Sequence, residues 1–500
     1  MKMAAIITEK FRQHNADQFF ESFSEASAST YYIFVGKATA FTSGTTGGSD
    51  SSPPTPSDSP TDTEFYAWDS MLAAKNVASS DITYSIPRRN WSNGTTYDMY
   101  DDDISSSNTT TSGASNLYDS SFYFMTSDFR VYKVLDNNGG TAYSGAEPTS
   151  ESTSPFALGG YVLKYMYQIT TSEAAKFLTS DFIPVSNDST VSAAAVDGKI
   201  ESLKITAGSG YTNGTYYAAV YGDGTSAGTS SGAIVRITVS GGTIQSFGLT
   251  AGSDTTIHAG GAGYTFGTVN LGSGFTFSDS GLTSASAMGG SGGSIEVVIS
   301  PKNGHGNDAI GELGGHFVMT ATTLTQAEND DITTANDFRQ VGLVVDPTNF
   351  GTSTVATAST RRQTFVVKGS STSGTFEVDE KITQASTGAV GKVVEFDSTN
   401  SLLYFQQERF GDFGTNSTTG DHSVFTGANL ITGATSSATL TPSTDSETIT
   451  LANNNTLTTS SGYANPELQP DSGNIVYLEN RKPIQRDSDQ TEDIKLIIEF

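Results

Sequence analysis

Apolar and polar residues alternate along most of the chain, and this alternation predicts β-strands rather than helices. β-Branched and aromatic residues recur in short runs, and Gly, Asn, Asp, Ser and Pro separate one run from the next. A period of two is typical of strands with one buried face. The sequence therefore predicts a mainly-β fold, whose clearest strands are 31–37, 129–135, 161–170, 295–299, 338–345 and 494–500.

Residues 8–24 have helical spacing instead. Thr8 can cap the amino end of this segment, because a threonine hydroxyl accepts a hydrogen bond from a free amide of the first turn. Phenylalanines follow Phe11 at intervals that return to the same side of a helix. The pattern predicts a short helix with one apolar face formed by Phe11, Phe19, Phe20 and Phe23.

Residues 51–75 combine a loop signal with a second helix signal. The Pro-rich run 51–60 cannot be helical, so we predict an extended surface loop there. Thr61 and Glu64 then have the capping-box spacing, in which each side chain satisfies an amide at the start of a helix. We expect this second short helix to continue through Trp68, Met71, Leu72 and Lys75.

The chain contains two internal repeats in regions rich in Gly, Ser and Thr. Segment 198–215 resembles 242–268, with Ile200 matching Ile244, Ile205 matching Leu249 and Tyr211 matching Tyr264. Segment 376–385 matches 425–434 without a gap, and Ala389 and Ala438 extend the register. Two copies are too few for a solenoid. Each pair is therefore expected to form one small β domain.

These composition changes predict a nested domain organisation. Guest domains inserted at exposed loops leave both cores intact. The parent β domain is expected to comprise 1–194, 294–361 and the carboxyl-terminal strands 465–500. The inserted modules are predicted at 195–293 and 362–464.

Composition narrows the classes of function. The 500 residues have a net charge of −27, which disfavours a direct nucleic-acid partner because phosphate binding requires clustered Lys and Arg. Cysteine is absent, which excludes disulfides, thiolate metal sites and thiol nucleophiles. The amino-terminal apolar patch, 4–7, is shorter than a signal peptide requires, and no window could span a membrane. We expect a protein folded in reducing cytoplasm, without membrane insertion.

Few residues of the sequence suggest a catalytic or metal-binding site. His305, Asp308, Glu312 and His316 form the only suggestive histidine group, but the two histidines lie too far apart for a helical zinc motif. A hydrogen-bonded polar loop is the favoured interpretation of this group. The acidic run 97–103 and the loop 222–224 could bind a hard cation, although neither has the EF-hand pattern. We therefore assign no catalytic residue, metal ligand or cofactor.

One basic cluster interrupts the acidic background. Arg88, Arg89 and Trp91 lie in the motif IPRRNW. Arg and Trp are favoured at the energetic centres of interfaces, so the cluster could be a docking point. A salt-bridged interior turn explains it equally well.

Four stretches together resemble the product-of-gene-eight baseplate wedge subunit of T-even-type contractile phage tails. They are IITEKFRQHNADQFFESF with YYIFVGK; SSPPTPSDS with WDSMLAAKNV and IPRRNW; GGYVLKYMYQI with DFIPV; and NDFRQVGLVVDP with the carboxyl end, NIVYLENRKPIQRDSDQTEDIKLIIEF. The resemblance covers the predicted parent domain. It does not cover the inserted modules, which look similar to segments of cyanobacterial phage tail proteins.

The resemblance implies a layered antiparallel β-sandwich with two short helix-bearing loops. It implies a homodimer without enzymatic activity that joins other wedge subunits in the virion, in a baseplate that changes shape on infection. It also singles out ENRKPI beside IPRRNW. The candidate interface or constrained residues are Arg88, Arg89, Trp91, Glu479 and Arg481.

Two other classes of protein fit parts of the pattern. Gly-rich repeats and abundant Tyr could indicate a secreted or virion-attached adhesin or glycan-binding protein, but such a protein needs an export signal or calcium-binding nonapeptides. A polysaccharide-degrading tail enzyme needs a carboxylate pair in a cleft, and the sequence singles out no such pair. We predict that the inserted modules are compact lobes that face solvent or make peripheral contacts; the alternative is that they thicken the contacts between neighbouring wedges or reach the host surface.

Overall fold

The structure, a computed structural model, describes residues 7–41, 47–59, 62–229, 231–278, 281–325, 337–408, 422–451, 456–485 and 491–500. These residues form 29 strands, five α-helices and three short 3₁₀ helices, which confirms the mainly-β prediction. The chain divides into two compact units. Unit 1 is Met1–Gln18, Thr83–Met319 and Ile497–Phe500, and unit 2 is Phe19–Ile82 and Thr320–Leu496.

The elements follow one another along the chain with few helices between strands. The helices are α1 (Glu9–Glu21), α2 (Asp62–Ser70), α3 (Thr171–Phe177), α4 (Ser189–Ala194) and α5 (Ala309–Leu313). The first fifteen strands are β1 (Tyr31–Gly36), β2 (Met71–Val77), β3 (Ile82–Pro87), β4 (Tyr123–Met125), β5 (Arg130–Asp136), β6 (Phe156–Leu158), β7 (Tyr161–Gln168), β8 (Phe182–Val185), β9 (Ser202–Tyr211), β10 (Gly214–Gly222), β11 (Ile234–Ser240), β12 (Thr243–Ile244), β13 (Thr256–Ala259), β14 (Gly267–Val269) and β15 (Gly289–Val298). The remaining strands are β16 (Phe317–Thr325), β17 (Phe338–Val345), β18 (Thr360–Arg362), β19 (Phe365–Ser373), β20 (Lys381–Gln384), β21 (Ala389–Asp397), β22 (Leu402–Gln406), β23 (Ile431–Gly433), β24 (Thr439–Pro442), β25 (Glu447–Thr450), β26 (Thr456–Thr459), β27 (Tyr463–Ala464), β28 (Asn474–Ile484) and β29 (Thr491–Glu499).

Unit 1 contains a four-stranded antiparallel sheet, in the order β4-β5-β7-β6, that is buried on both faces. Neighbouring residues of β4 point to opposite sides because side chains alternate along a strand. Tyr123 packs in one apolar cluster with Ile86 and Ile183, which lie on the paired strands β3 and β8. Phe124 packs in the other cluster, with Tyr132 of β5. Strands β3 and β8 thus cover one face of the sheet, as in a β-sandwich.

A second sheet in unit 1 is formed by the region that contains the first internal repeat. Its strand order is β12-β11-β10-β14-β15-β9, with β13 also paired to β11. Ile200, Ile244, Tyr211 and Tyr264 are buried in one cluster, as their equivalence in the repeat predicts. The predicted match of Ile205 with Leu249 is wrong in structural terms. Ile205 lies in β9, whereas Leu249 lies outside the strands and is 39% exposed, because the second copy is interrupted after it.

Unit 2 contains a five-stranded sheet in the order β18-β2-β1-β17-β28. The predicted second helix ends at Ser70, and its continuation from Met71 to Lys75 is wrong because these residues form β2. Strand β2 pairs with β1 on one side and with β18 on the other, so sheet hydrogen bonds outweigh the local helical pattern. Thr61, the predicted cap, lies outside the described residues. Residues 51–59 contain neither helix nor strand, as expected of the Pro-rich loop.

Gly342 shows how closely this sheet packs. It lies opposite Phe34 in the pairing of β1 with β17. A Cβ atom at position 342 would stand 2.3 Å from the Phe34 ring and 2.8 Å from the Tyr477 carbonyl oxygen. The glycine therefore allows a large ring and a neighbouring strand to meet at the centre of the sheet.

Helix α1 confirms the helix predicted over 8–24, but its apolar face is shorter than expected. Phe23 lies just beyond the last turn and stacks on Tyr31 at 4.0 Å between ring centres, while Phe19 meets the edge of Tyr31 at 5.6 Å. Phe11, in contrast, is 53% exposed. The shared face therefore does not extend to the first turn.

The region that contains the second internal repeat forms its own sheet in unit 2, in the order β22-β21-β20-β23-β24-β19-β27. Equivalent residues of the two copies are buried in one cluster. Thr383 pairs directly with Thr432, its counterpart in the repeat, so the two copies are related by a local pseudo-twofold axis between β20 and β23. The buried equivalents are Phe376 and Phe425, Ile382 and Ile431, and Ala389 and Ala438.

Glu380 ties the first copy of this repeat to the second. Its carboxylate accepts hydrogen bonds from the Thr435 and Ser436 amides, both at 2.9 Å, from the Ser436 hydroxyl at 2.6 Å and from the Glu377 amide at 2.8 Å. Burial alone would raise the pKa of Glu380, but these hydrogen bonds outweigh it and lower the pKa.

We expect Glu380→Gln to lower the free energy of unfolding by about 1–3 kcal/mol at pH 7, because an amide nitrogen cannot accept these hydrogen bonds. A carboxylate whose pKa is lower in the folded state stabilises the fold at pH values above its unfolded pKa of about 4.3. This stabilisation is lost as the pH falls through the folded-state pKa. The difference from wild type should therefore shrink at pH 3. Denaturant unfolding at both pH values measures it. The exposed Glu377→Gln is the control, and equal losses in the two variants would contradict the assignment.

Candidate assembly surfaces

The IPRRNW motif lies against two strands of unit 1. The amide of Arg88 donates to the Asp181 carbonyl at 2.7 Å. The Met125 amide of β4 donates to the Arg89 carbonyl at 2.7 Å, and the Trp91 amide donates back to Met125 at 2.8 Å. Backbone hydrogen bonds thus hold the motif on both sides and fix the backbone positions from which its side chains extend.

The side chain of Arg89 spans a carbonyl and an aromatic ring. Nη2 donates to the Tyr118 carbonyl at 2.9 Å, and the guanidinium carbon lies 4.6 Å from the centre of the Tyr123 ring. Its Nη1 atom is buried without a hydrogen-bond partner. Burial raises the pKa of the Tyr123 phenol, and the nearby Arg89 opposes that rise. Arg89 is therefore a partly buried cation whose described contacts are a carbonyl and a π face.

Arg88 and Trp91 have different surroundings from Arg89. Arg88 donates from Nη1 to the Thr179 carbonyl at 2.7 Å and from Nε to the Asn90 side chain at 2.9 Å. The Trp91 indole meets Tyr143 edge to face at 5.9 Å, and its Nε1 is buried without a hydrogen-bond partner. The turn therefore holds two buried donor atoms without partners, one on Arg89 and one on Trp91.

Glu479 and Arg481 lie in β28 of unit 2. Their side chains are 41% and 51% exposed, with 3.7 Å between the carboxylate and Arg481 Nε. The Tyr477 hydroxyl donates to Glu479 at 3.0 Å. Burial, followed by the Glu479 charge, raises the pKa of Tyr477 to about 12. These two residues and the IPRRNW motif belong to different units of the chain.

The sequence did not predict a pocket beside the Pro-rich loop. This unit 2 pocket has a volume of about 310 Å³ and is lined by Lys37, Pro54, Gln340 and Asn480 among others. The side-chain nitrogen of Asn480 donates to the Pro54 carbonyl at 2.9 Å, and its side-chain oxygen accepts a hydrogen bond from the side-chain nitrogen of Gln340 at 2.8 Å. The loop is thereby anchored to β28 and β17. Only the apposition of distant segments creates this pocket, so a single-sequence pattern could not reveal it.

The His305 group forms a buried ionic cluster in unit 1. Lys133 Nζ lies 2.9 Å from Glu312 Oε2 and 3.0 Å from His305 Nδ1, and it stands 3.7 Å above the Tyr100 ring centre. The other Glu312 oxygen accepts the Gly306 amide at 2.7 Å. Burial lowers the pKa of His305 well below its usual range, and the charge of Lys133 adds to this effect. The imidazole is therefore neutral.

Sequence reasoning did not include Lys133 in this group, although a signal was present. Lys133 and Lys164 lie opposite each other in strands β5 and β7, which are almost entirely buried. A lysine at the centre of such an apolar strand needs a buried counter-charge. The other histidine of the predicted group, His316, lies instead beside Glu9, and Asp308 caps α5 through a 3.1 Å bond from the Gly311 amide.

The acidic segments considered for cations have protein partners. Asp223 accepts from the Thr265 amide at 2.9 Å and from the Thr265 hydroxyl at 2.6 Å, and these bonds lower the pKa of Asp223. In the acidic run, Asp102 accepts from the Ile299 amide at 2.8 Å. Among the described residues, no group of three or more His, Cys, Asp or Glu side chains could hold a metal ion.

The described helices include none that is long and apolar enough to cross a membrane. Comparison with protein families gives a match to the model Phage-Gp8, described as Bacteriophage T4, Gp8. The match covers residues 5–146 and 444–500, which include α1, the Pro-rich loop, the IPRRNW motif and β28. A comparison with curated proteins gives no match.

Proposed function

We propose that the chain is a baseplate wedge subunit of the Gp8 family, whose model matches residues 5–146 and 444–500, and that it joins other wedge subunits during baseplate assembly. We further propose that it takes part in the rearrangement of the baseplate on infection. The family is a structural one of the phage baseplate, which implies a location in the virion tail. The family match, in two segments separated by nearly 300 residues, is the observation that carries the proposal.

The proposed active form is a homodimer that is made and assembled in the host cytoplasm. The absence of cysteine supports folding in a reducing compartment. The strongly negative net charge supports solubility of a protein with many strand edges. Sedimentation of the purified chain tests the dimer, and a concentration-independent monomer mass would refute it.

The proposed contact residues are Arg88, Arg89, Trp91, Glu479 and Arg481. In the first group, backbone hydrogen bonds on both sides support a constrained turn, and the side chains of Arg88, Arg89 and Trp91 are partly exposed, so that a partner can contact them. In the second group, half-exposed charges on a sheet-edge strand support contact at a rim. Both groups lie within the matched residues.

The proposed nested architecture is supported by the ends of both inserted modules. At the second module, the backbone amide of Glu467 donates to the Arg362 carbonyl at 2.9 Å, and the side-chain Nε2 of Gln363 donates to the Leu468 carbonyl at 3.0 Å. At the first, the Asn303 amide donates to Asp197 at 2.6 Å. Chain ends this close allow insertion of a guest domain into an existing loop.

We expect that replacing 365–463 by a short Gly/Ser bridge leaves a folded dimer. The apolar cluster of this module lies entirely between Phe365 and Tyr463, so its removal takes no member from the other apolar clusters. Circular dichroism and sedimentation measure the outcome. As a control, a deletion that also removes 464–468 takes away the partners of Arg362 and Gln363 and should unfold part of unit 2. Loss of all folded protein in the first variant would contradict the nested organisation.

The proposed function is tested by mass spectrometry of baseplates purified from the phage that encodes this chain, with chemical cross-linking to identify neighbours. We expect the chain in stoichiometric amounts, cross-linked to itself and to other wedge subunits. Its absence from baseplates would overturn the proposal. Cross-links to itself alone would overturn the joining role.

A further inference from the structure

The pocket beside the Pro-rich loop of unit 2 contains two buried polar groups whose hydrogen-bonding capacity is only partly used among the described residues. Its volume of about 310 Å³ is at the lower end of the range for small-ligand pockets. The two polar groups belong to Lys37 and Gln340. The apolar part of the wall is formed by Phe41, Pro54, Pro56 and Tyr66.

Lys37 supplies unused donors. Its side chain is only 9% exposed, and Nζ donates to the Thr39 hydroxyl at 2.7 Å. The Glu408 carboxylate lies 3.9 Å from Nζ, which is too long for a hydrogen bond. Burial lowers the pKa of Lys37, and the charge of Glu408 opposes this effect. An ammonium has three N–H donors, so within the described part of the chain two of them have no acceptor.

Gln340 supplies an unused acceptor, and the neighbouring hydrogen bonds fix the orientation of its side chain. The Pro54 carbonyl can only accept, so Asn480 directs its side-chain nitrogen to Pro54 and its oxygen to Gln340. Gln340 must therefore direct Nε2 to Asn480, at 2.8 Å, and Oε1 away from it. Gln340 is 7% exposed, and its Oε1 has no hydrogen-bond partner among the described residues.

Lys37 and Gln340 are neighbours in the five-stranded sheet. Gly36 pairs with Gln340 between β1 and β17, and Lys37 follows Gly36 directly. Unused donors and an unused acceptor are thus held close together in one wall. Of the described residues that line the pocket, only Lys37 and Glu408 are charged, and their charges cancel. The pocket therefore favours a neutral group that offers both an acceptor and a donor.

We propose that this pocket holds the side-chain carboxamide of a glutamine or asparagine from another baseplate subunit; the baseplate origin of the partner rests on the proposed function. A carboxamide oxygen accepts from Lys37 Nζ, and the carboxamide nitrogen donates to Gln340 Oε1. A carboxylate offers no donor to Gln340 and adds a negative charge beside Glu408. An ammonium or guanidinium offers no acceptor to Lys37.

The position of the pocket in the chain favours a protein partner. Apart from Gln340 and Glu408, the residues that line it lie within the segments matched to the Gp8 family. The pocket is therefore built mainly from the part of the chain that is similar to a baseplate protein. Its volume accommodates one side chain together with part of its backbone.

The first test compares three probes with the full chain. N-acetyl-glutamine methylamide is the ligand, the methionine analogue lacks the carboxamide, and the glutamate analogue carries a charge instead. Saturation-transfer NMR measures the three dissociation constants. We expect the glutamine probe to bind about tenfold more tightly than either analogue, because it alone makes both hydrogen bonds. Lys37→Met should abolish this preference, whereas the exposed Lys10→Met should retain it.

Four results of this comparison would overturn the proposal. They are no binding of any probe, equal binding of the glutamine and methionine probes, tighter binding of the glutamate probe, and an unchanged preference in Lys37→Met. Tighter binding of the glutamate probe would indicate an anion site. Thermal unfolding of the two variants identifies any loss of folding, and the comparison of probes on the wild-type chain does not depend on a variant.

The second test separates the pocket from the proposed function. Baseplates are purified from phage in which the photoreactive residue p-benzoylphenylalanine replaces Thr55, an exposed residue that lines the pocket. The same replacement of Thr352, an exposed residue of unit 2 outside the pocket, is the control. After irradiation, we expect position 55 to be cross-linked to a glutamine- or asparagine-containing peptide of another subunit. Position 352 should not be linked to that peptide.

The outcomes of the cross-linking experiment are distinguishable. If baseplates contain the chain but position 55 forms no cross-link, or links only to a second copy of this chain, the proposed pocket ligand is overturned and the proposed function remains. Linkage of positions 55 and 352 to the same peptide would also overturn the ligand. Absence of the wild-type chain from baseplates would overturn the proposed function instead, and with it the baseplate partner.

Discussion

Glu312→Ala is expected to lower the free energy of unfolding of unit 1 by about 3–5 kcal/mol, because it leaves a buried ammonium without its counter-charge. The side chains of Lys133 and Glu312 are 0% and 2% exposed, and their charged atoms lie 2.9 Å apart. Burial lowers the pKa of Lys133, and Glu312 opposes that effect. The Gly306 amide would also lose its acceptor.

The pH dependence of Glu312→Gln tests the electrostatic origin of this loss. Without the carboxylate, the folded-state pKa of Lys133 falls further below its unfolded value of about 10.4. A lowered folded-state pKa makes stability rise with pH until the unfolded value is reached. The variant should therefore recover part of its loss between pH 7 and pH 10, as measured by denaturant unfolding.

Two controls accompany this prediction. Lys133→Met combined with Glu312→Leu should cost less than Glu312→Ala alone, because no buried charge is left unpaired. Arg130 lies on β5, like Lys133, and forms an ion pair with the exposed Glu151. Glu151→Gln removes this exposed partner and should cost about 0–1 kcal/mol. A loss below about 1 kcal/mol in Glu312→Ala would show that the cluster is solvated rather than buried.

Arg89→Ala is expected to cost about 2–4 kcal/mol of unfolding free energy and to reduce incorporation into baseplates. The variant loses a hydrogen bond from a charged donor, worth about 1.5–3 kcal/mol, and a cation–π contact with Tyr123, worth about 0.5–2 kcal/mol. The Tyr118 carbonyl would also lose a donor. Thermal and denaturant unfolding measure the first effect, and quantitative mass spectrometry of purified baseplates measures the second.

Arg236→Ala is the matched control for Arg89→Ala. Arg236 belongs to the same unit, but the hydrogen bonds of its guanidinium within the described residues go to threonine hydroxyls, at 3.3 and 3.4 Å. Its removal should change stability by less than about 1 kcal/mol. Arg89→Lys keeps the charge without the planar fork and should recover only part of the loss. Wild-type stability together with wild-type incorporation of Arg89→Ala would refute a constrained or assembly role for this residue.

The strands could be predicted because alternation is a local property of the sequence. Segment 338–345 coincides with β17, and the repeat at 376–385 and 425–434 places equivalent apolar side chains in one core. Met71 could not be predicted in the same way. Its segment pairs with β1 and β18, which lie about 40 residues before it and nearly 300 residues after it, and such partners leave no local signal.

Candidate sites were harder to predict than strands, because sites depend on which distant residues meet. The interval from His305 to Glu312 was visible in the sequence, but its main partner is Lys133 on another strand. Likewise, Arg89 was identified from its residue type, yet the Tyr118 carbonyl and the Tyr123 ring became visible only in the fold.

Cryo-electron microscopy of the assembled tail tests the central claim most directly. We predict that wedge contacts are made by 5–146 and 465–500, which lie within the segments matched to the Gp8 family and outside the inserted modules, while the modules form peripheral lobes. Modules with so many glycines order poorly at the centre of a large interface. A map with this chain in the wedge and both modules facing solvent is the expected result. A map without the chain, or with either module buried across a hydrophobic interface of more than about 1,000 Å², would contradict the account.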